Sequence, residues 1–215
     1  MENQIVVDAA EQFVKDKLRN DSSGHDWWHI FRVVQMSKKI AREERADIFI
    51  CELSALLHDV TDEKLCKDPM QASLDLKEWL NAHSLSNLVK SHVFEIIENL
   101  SYKGGNRPAM RTLEGQIVQD ADRLDAIGAL GIARVFAFSG STHRPIHVPD
   151  LAPRENLTFE QYRNGQGTAI MHFHEKLLKL KSLMNTRYAH QLAEVRHQVM
   201  LQYLEHFDQE WEGSR

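Results

Sequence analysis

Cysteine is scarce in this sequence, and so are the long apolar runs that mark membrane segments. The 215 residues include 2 cysteines, Cys51 and Cys66, and neither belongs to a CxxC pair. A disulfide framework and a thiolate zinc site therefore have no support in the sequence. The longest apolar run, 126–138, is interrupted by Arg134 and is shorter than the ~20 residues that a membrane-spanning helix needs. We expect it to be a core helix.

Positive charge is not in excess. Lys and Arg number 26 against 31 Asp and Glu, which gives a formal net charge of −5. Such a surface lacks the positive field that attracts a nucleic-acid polymer or an anionic membrane, whereas a small anionic substrate is compatible with it. The amino terminus carries an acidic residue, Glu2, where a secretory signal would carry lysines, and it lacks the apolar region of such a signal. We therefore expect a cytoplasmic protein.

Helical periodicity dominates the chain. Apolar residues recur three and four positions apart, and strict alternation of apolar and polar residues is hard to find. This pattern predicts an all-α protein, and the length predicts one domain over 1–215, with a core at about 13–140 and carboxy-terminal helices at about 166–211. The predicted helices cover about 4–18, 26–44, 47–58, 70–83, 85–100, 112–138 with a kink, 168–184 and 186–210.

One long segment, at about 139–165, has little periodicity and contains Pro145, Pro149 and Pro153. These prolines exclude a continuous helix. A loop of this length inside a domain typically serves as a lid, a binding element or an oligomer contact. Together with the apolar faces of the last helices, this loop is compatible with a homodimer.

Ionisable residues follow directly on an apolar run at 55–59, which reads Ala-Leu-Leu-His-Asp. Burying His58 and Asp59 without partners would be costly, and a bound cation would remove that cost. Asp62 lies one turn beyond His58 and can reach a molecule bound to the same ion. The alternative interpretation is an ordinary helix end with a favourable histidine and a solvated aspartate.

Two other predicted helices offer an inward-facing ligand. His29 shares a stripe with Val33, although a lone histidine on such a stripe is more often a hydrogen-bonded core residue. Asp122 lies on one strip with Val118, where a carboxylate among small apolar neighbours needs a counter-charge. Because three separate helices each present a metal-type ligand, a shared divalent ion is the better interpretation of all three together.

A histidine, an adjacent histidine and aspartate, and a distal aspartate follow one another along the chain. His29, His58, Asp59 and Asp122 resemble, in this order, the H…HD…D signature of the HD-domain metal-dependent phosphohydrolases. The resemblance implies an all-α HD-domain helical bundle, here with additional carboxy-terminal helices and one long lid-like loop. It also implies that these residues together hold one divalent ion.

The flanking residues are similar to one bacterial branch of this family, which is related to nucleotide pyrophosphohydrolases. They read GHDWWH at 24–29, SYKG at 101–104 and QDADRLDAIG at 119–128. The similarity covers roughly 13–140 and, more weakly, the carboxy-terminal helices. It implies a nucleotide or a similar phosphorylated metabolite as the substrate.

The implied ligand set also indicates the chemistry. Two imidazoles and two carboxylates suit manganese, iron, nickel, zinc or magnesium, so ligand type alone does not identify the ion. In related proteins an acidic residue at the position of Asp62 handles the proton of the attacking water or of the leaving group, which implies a catalytic role for Asp62. A second ion is not expected, since the predicted helix at 85–100 offers only His92.

Further polar residues are expected around the ion. Asp122 and Asp125 share a helix face, and the resemblance selects Asp122 as the ligand. It leaves Asp125, together with Asp26, to orient a ligand or a bridging water. Three basic residues are candidates for binding the substrate's phosphate. Each could instead have a purely structural role, as part of a flexible loop, in an ion pair or at an interface. These candidates are the basic residues Lys103, Arg32 and Arg144.

The residues and the resemblance together predict a metal-dependent phosphohydrolase of a nucleotide or similar phosphorylated metabolite. The more specific expectation, from the resemblance alone, is conversion of a nucleoside triphosphate into the monophosphate and pyrophosphate. The alternatives are a phosphomonoesterase, a hydrolase of guanosine tetraphosphate-type signals, and a non-catalytic HD protein that binds a nucleotide. The presence of Asp62 beside all four ligand residues argues against the non-catalytic alternative.

Overall fold

Helices joined by turns form the described chain. The computed structural model describes residues 2–18, 26–62, 66, 68–100, 110–154 and 167–214, and no strand occurs among them. This confirms the all-α prediction. Contacts divide the chain into an amino-terminal unit, Met1–Ala121, and a carboxy-terminal unit, Asp122–Arg215.

The amino-terminal unit is built from helices whose bounds lie within a few residues of the predicted ones. α6 starts in this unit and its last residues belong to the second. The helices are α1 (Glu2–Leu18), α2 (Trp27–Glu44), α3 (Ile48–Leu57), α4 (Pro69–Ala82), α5 (Asn87–Leu100) and α6 (Leu113–Asp125).

α3 is the central helix of this unit. Its sequence, IFICELSALL, is apolar on nearly every side, which is the pattern of a helix that is surrounded by protein. It packs against α1, α2 and α5, and most of its residues are buried. Because α3 ends inside this packing, the residues that follow Leu57 begin in the interior of the unit.

Aspartates define where three of these helices begin. The side chains of Asp26, Asp47 and Asp68 accept hydrogen bonds from backbone N–H groups in the first turns of α2, α3 and α4. Each such cap contributes about 1 kcal/mol to stability. The helix predicted over about 47–58 is confirmed, and Asp47 is its N-cap.

The carboxy-terminal unit contains shorter helices that pack along one long helix. α9 lies against α7 and against a 3₁₀ helix, and α8 contacts both of these elements. The elements after α6 are α7 (Gly128–Ser141), α8 (Ala169–Glu175), the 3₁₀ helix (Leu177–Leu183) and α9 (Arg187–Trp211).

The helix predicted over 112–138 with a kink is two separate helices, α6 and α7. The chain therefore bends within the predicted run, and the bend is a complete break between helices. Gly128 has φ of +77°, a left-handed conformation that glycine adopts without strain. A Cβ on Gly131 would lie 2.2 Å from the carbonyl oxygen of Ala126. The turn between the two helices therefore requires glycine at both positions.

The continuous helix predicted over 168–184 is wrong. α8 ends at Glu175, and Lys176 leaves the helical region with φ −133° and ψ −59°. The chain then continues as the 3₁₀ helix, in which Leu177 and Leu180 are buried. Leucines three residues apart fit the period of a 3₁₀ helix, about 3.0 residues per turn, so this spacing buries them on one side.

The described part of the predicted long loop is attached to α8. α7 extends to Ser141, and the irregular segment begins after it. The backbone N–H groups of Ala169 and Ile170 donate to the carbonyl oxygens of Pro145 and Ile146, at 2.9 and 3.1 Å. The predicted turn at 20–24, Lys103 with its neighbouring glycines, and the loop from 155 onward lie outside the described residues.

The length and apolar character of the described helices bear on whether any of them could span a membrane. No single helix there combines the length and the apolar character needed to cross a bilayer. α6 and α7 meet that test by length and composition only when they are taken together, as a pair with a bend between them.

Candidate metal centre

The first turn of α2 carries His29 into the core. Asp26 caps this helix, and its carboxylate accepts a hydrogen bond from the backbone N–H of His29 at 3.0 Å. Since this contact fixes the start of the helix, it also fixes the direction in which His29 leaves the backbone. The His29 side chain is 1% exposed. Asp26 was predicted to orient a ligand. Its carboxylate contacts the backbone N–H of His29, and its orienting role stays a prediction.

The end of α3 supplies the adjacent histidine and aspartate. His58 is the C-cap of α3 and retains helical angles. Its Nδ1–H donates to the carbonyl oxygen of Ala55 at 2.8 Å. Because a carbonyl can only accept, the neutral ring then has its lone pair on Nε2, the arrangement typical of histidines that bind metals. Leu57 and Val60 flank the pair and are buried.

Three side chains converge at this point. Nε2 of His29 lies 3.4 Å from one carboxylate oxygen of Asp59, and Nε2 of His58 lies 3.2 Å from the other. The two imidazole rings are 5.3 Å apart, at an interplanar angle of 66°. One ligand atom from each residue lies within 4.8 Å of the others, and all three residues are buried.

The converging residues have the composition and spacing of a metal centre. Donor atoms bound at about 2.0–2.2 Å from one ion are about 3–4 Å apart, which agrees with the two distances that join Asp59 to His29 and His58. Two imidazoles and one carboxylate form a mixed nitrogen and oxygen set that accepts several divalent ions. The predicted convergence of these three residues is thus present, and they could hold a metal ion.

Asp122 is half-buried in the last turn of α6 and is the first residue of the carboxy-terminal unit. It is not among the three residues whose donor atoms converge in the described chain. Its neighbour Asp120 is fully buried, which the sequence reasoning did not anticipate. The role of Asp122 as a fourth ligand stays a prediction.

Asp62 lies about one turn of chain beyond His58 and Asp59, as predicted. Its backbone N–H donates to the carbonyl oxygen of Asp59 at 3.1 Å, so a tight turn connects the two aspartates. The Sγ of Cys66 donates to the carbonyl oxygen of Asp62 at 3.1 Å. Asp62 is half-buried and therefore retains contact with solvent. Its catalytic role stays a prediction.

Asp125 belongs to an ion pair within the carboxy-terminal unit. Its carboxylate accepts from Nη1 of Arg134 at 2.7 Å, and both side chains are largely buried. Arg196 donates to the carbonyl oxygen of the preceding residue, Leu124. Burial lowers the pKa of Arg196, and the negative charge of Asp125 opposes that change. The predicted orienting role of Asp125 near the ion stays a prediction.

The predicted phosphate-binding arginines lie in different units. Arg32 is half-buried on α2, one turn after His29. Arg144 follows α7, and its guanidinium lies 5.7 Å from the centre of the Phe138 ring. Its positive charge also contributes to lowering the pKa of Glu175. Both roles in substrate binding stay predictions.

His92 contacts residues at the start of α6, and Cys51 is buried in α3. Nε2 of His92 lies 2.9 Å from Oγ1 of Thr112 and 3.8 Å from a carboxylate oxygen of Glu114, at the start of α6. Burial raises the pKa of Cys51 to about 12, with smaller contributions from the charges of Glu114 and Asp47. The Cys51 thiol therefore stays protonated near neutral pH.

Sequence reasoning missed two features of the described residues, one in each unit. Trp28 and Phe31 on α2 are exposed and contact each other. Arg154 forms a two-pronged ion pair with the buried Glu175. Neither feature has a periodicity signal, because tertiary packing decides which side of a helix is covered.

Comparison with known proteins gives consistent matches over nearly the whole chain. A family model described as HD domain matches residues 27–127. The uncharacterized protein YpgQ of Bacillus subtilis is 36% identical over 203 residues, which cover 94% of this chain and 91% of the relative. A crystal structure of YpgQ is described as a complex with ADP. The YpgQ chain in that structure is 35% identical to this chain. The match covers 98% of this chain and 97% of the YpgQ chain, with a TM-score of 0.78.

Two other solved structures are similarly close. A protein from Lactobacillus plantarum is 42% identical, with a TM-score of 0.89 over 99% of this chain and 100% of that chain. A protein from Bacillus thuringiensis, described as an HD-superfamily hydrolase, is 40% identical, with a TM-score of 0.77 over 98% of both chains. These matches extend beyond the segment covered by the family model and include the carboxy-terminal helices.

Proposed function

Because this chain belongs to the HD superfamily of hydrolases, we propose that it is a divalent-metal-dependent phosphohydrolase acting on a nucleotide or a similar phosphorylated metabolite. The observation that carries the proposal is the buried convergence of His29, His58 and Asp59. Two imidazoles and a carboxylate whose donor atoms lie this close form a mixed nitrogen and oxygen set that binds divalent cations. The cluster therefore fits a resident metal ion.

The proposed ligands are His29, His58, Asp59 and, as the family signature implies, Asp122. Manganese, iron, nickel, zinc and magnesium all suit this donor set, and manganese is the ion we propose to test first. A divalent ion, when bound, stabilises charge on a phosphoryl oxygen and lowers the pKa of a water molecule. The hydrogen bond from His58 to Ala55 holds that imidazole in the orientation that binding requires.

Asp62 is the proposed catalytic residue. Its backbone is tied to that of Asp59, so its position relative to the ligands is fixed by one turn of chain. For a nucleoside triphosphate, the oxygen of a water molecule bonds to the α-phosphorus while the bond from that phosphorus to the bridging oxygen breaks. Pyrophosphate leaves with the electron pair, and Asp62 accepts a proton from the attacking water.

A nucleotide is the proposed substrate class. The relative YpgQ, whose structure is described as a complex with ADP, is similar over almost the whole chain. We propose Lys103, Arg32 and Arg144 as residues that bind substrate phosphates, and Asp26 and Asp125 as residues that orient ligands. The proposal includes the cytoplasmic location expected from the sequence and the homodimer with which the long loop is compatible, and sedimentation of the purified protein tests the homodimer.

Product analysis tests the reaction. The purified protein is supplied with Mn²⁺ and is then incubated in separate reactions with a nucleoside triphosphate, a nucleoside monophosphate and guanosine tetraphosphate. Phosphate and pyrophosphate are measured independently in each reaction. The proposal predicts nucleoside monophosphate and pyrophosphate in equal amounts from a triphosphate. Phosphate release from monophosphates alone would instead identify a phosphomonoesterase. The absence of any metal-dependent hydrolysis would contradict the proposal.

A further inference from the structure

An exposed pair of aromatic rings lies on α2, the helix that carries His29. Trp28 is 61% exposed and Phe31 is 42% exposed. Their ring centroids are 6.0 Å apart, at an interplanar angle of 78°. In this edge-to-face contact each ring uses at most one of its faces, so each has a face that the other does not cover. Both rings belong to the same helix as His29.

The neighbouring tryptophan differs from Trp28 in its exposure. Trp27 is half-buried, and Nζ of Lys15 lies 4.5 Å from the centre of its ring. Trp27 therefore contributes to the packing of α1 and α2. Trp28 is the next residue, yet more than half of its surface is accessible, so anchoring the helix does not explain its presence.

The geometry of a helix places Trp28 nearer to His29 than Phe31, which lies further round α2 at about 160° from His29. Successive side chains on an α-helix differ by about 100°. Trp28 is therefore about 100° from His29, and Arg32 lies on the same side of His29 at about 60°. Around the circumference of α2, the buried His29 is therefore followed by the half-buried Arg32 and then by the exposed Trp28. A nucleotide carries phosphates at one end and a base at the other. Its phosphates would meet a bound metal ion and the cation of Arg32, and its base would meet the ring of Trp28.

We propose that Trp28 and Phe31 form a stacking surface for the base of a nucleotide whose phosphates lie at the cluster of His29, His58 and Asp59. This inference rests on the proposed function and names the part of the substrate that the metal centre does not bind. Every base has a π-face, so stacking on aromatic rings tolerates different bases. The surface therefore selects for the presence of a base and discriminates little between purines and pyrimidines.

Equilibrium binding of ADP to the Mn²⁺-loaded full-length protein, measured by calorimetry, tests the inference. Base stacking on one aromatic residue is worth about 1–3 kcal/mol, so Trp28→Ala should weaken ADP binding about tenfold, and Phe31→Ala should weaken it less. Trp28→Phe should restore most of the affinity. Inorganic tripolyphosphate has no base, and its affinity should be the same for the wild type and for Trp28→Ala.

Trp211→Ala is a matched control, since Trp211 is also an exposed tryptophan, at 51%, and stacks on Phe207 in α9. It should bind ADP as the wild type does. Unchanged ADP affinity in Trp28→Ala, or equal weakening of ADP and tripolyphosphate, would overturn the inference, as would a wild type that does not bind ADP. A selective loss of ADP binding in a protein that hydrolyses no nucleotide would support the stacking surface and refute the hydrolase.

Discussion

His58 donates its Nδ1–H to the carbonyl oxygen of Ala55 across 2.8 Å, and this hydrogen bond sets what the other ring nitrogen can do. With the proton on Nδ1, Nε2 retains its lone pair and is directed towards Asp59 at 3.2 Å. The last turn of α3 thus leaves Nε2 of His58 as a donor atom that could bind a metal ion.

Replacing His58 tests this preparation. Loss of a residue that merely orients a ligand costs about 10–100-fold in metal affinity, so loss of the ligand in His58→Ala should lower Mn²⁺ affinity by more than that, together with turnover. His83→Ala is the control, because Nδ1–H of His83 also donates to a backbone carbonyl, that of Trp79, at 2.7 Å. Calorimetric titration with Mn²⁺ should separate the two variants, and equal affinities would contradict the assignment.

Asp62→Asn tests the proton acceptor. A positioned acid or base contributes about 10²–10⁴-fold to a rate, so kcat should fall within that range. The amide is nearly isosteric with the carboxylate and does not remove a proposed ligand, so the amount of bound metal should stay as in the wild type. Metal content by mass spectrometry and kcat on the same sample decide the question. A variant with normal kcat would remove Asp62 from the mechanism.

Two glycines of α7 should respond in opposite directions to alanine. A Cβ on Gly131 would lie 2.2 Å from a backbone oxygen, whereas a Cβ on Gly140 would meet nothing within 4 Å. Overpacking of this kind costs about 1–3 kcal/mol, so Gly131→Ala should lower the free energy of unfolding by about 2 kcal/mol or more. Gly140→Ala should raise it by up to about 1 kcal/mol, since alanine favours helix. Urea denaturation measures both, and similar midpoints would contradict the close approach.

Glu175 predicts how stability depends on pH. Burial alone would raise the pKa of this carboxyl, but the hydrogen bonds and charge of Arg154 outweigh it and hold the pKa below its ordinary value of 4.5. A carboxylate with a lowered pKa stabilises the fold above its unfolded-state pKa, and this contribution is lost as the pH falls through the folded-state pKa. The difference in free energy of unfolding between wild type and Glu175→Gln should therefore shrink from pH 6 towards pH 3. A difference that stays constant over this range would disprove the shift.

Local signals account for much of what the sequence predicted correctly. Asp47 precedes an apolar run and caps α3, and the same run ends at His58, where polar residues begin. His29 was assigned to the buried face of α2 from its spacing, and it is buried. Each of these conclusions depends on residues within a turn or two, where helical periodicity is a reliable guide.

The features that were missed depend on turns and on packing that helical periodicity does not describe. Arg134 pairs with Asp125 through the turn after α6, and no spacing rule indicated it. Lys176 ends α8 although the leucines after it continue an apolar pattern. That pattern has a period of three, which could have indicated a 3₁₀ helix. The exposure of Trp28 depends on which elements cover α2, and residue type alone does not determine this.

A crystal structure of the protein grown with Mn²⁺ tests the central claim most directly, through the anomalous scattering of the ion. The account predicts one strong anomalous peak about 2.0–2.2 Å from Nε2 of His29, Nε2 of His58 and an oxygen of Asp59, with Asp122 as the fourth protein ligand. No peak at this cluster, or a peak held by other residues, would contradict the metal centre and the hydrolase built on it.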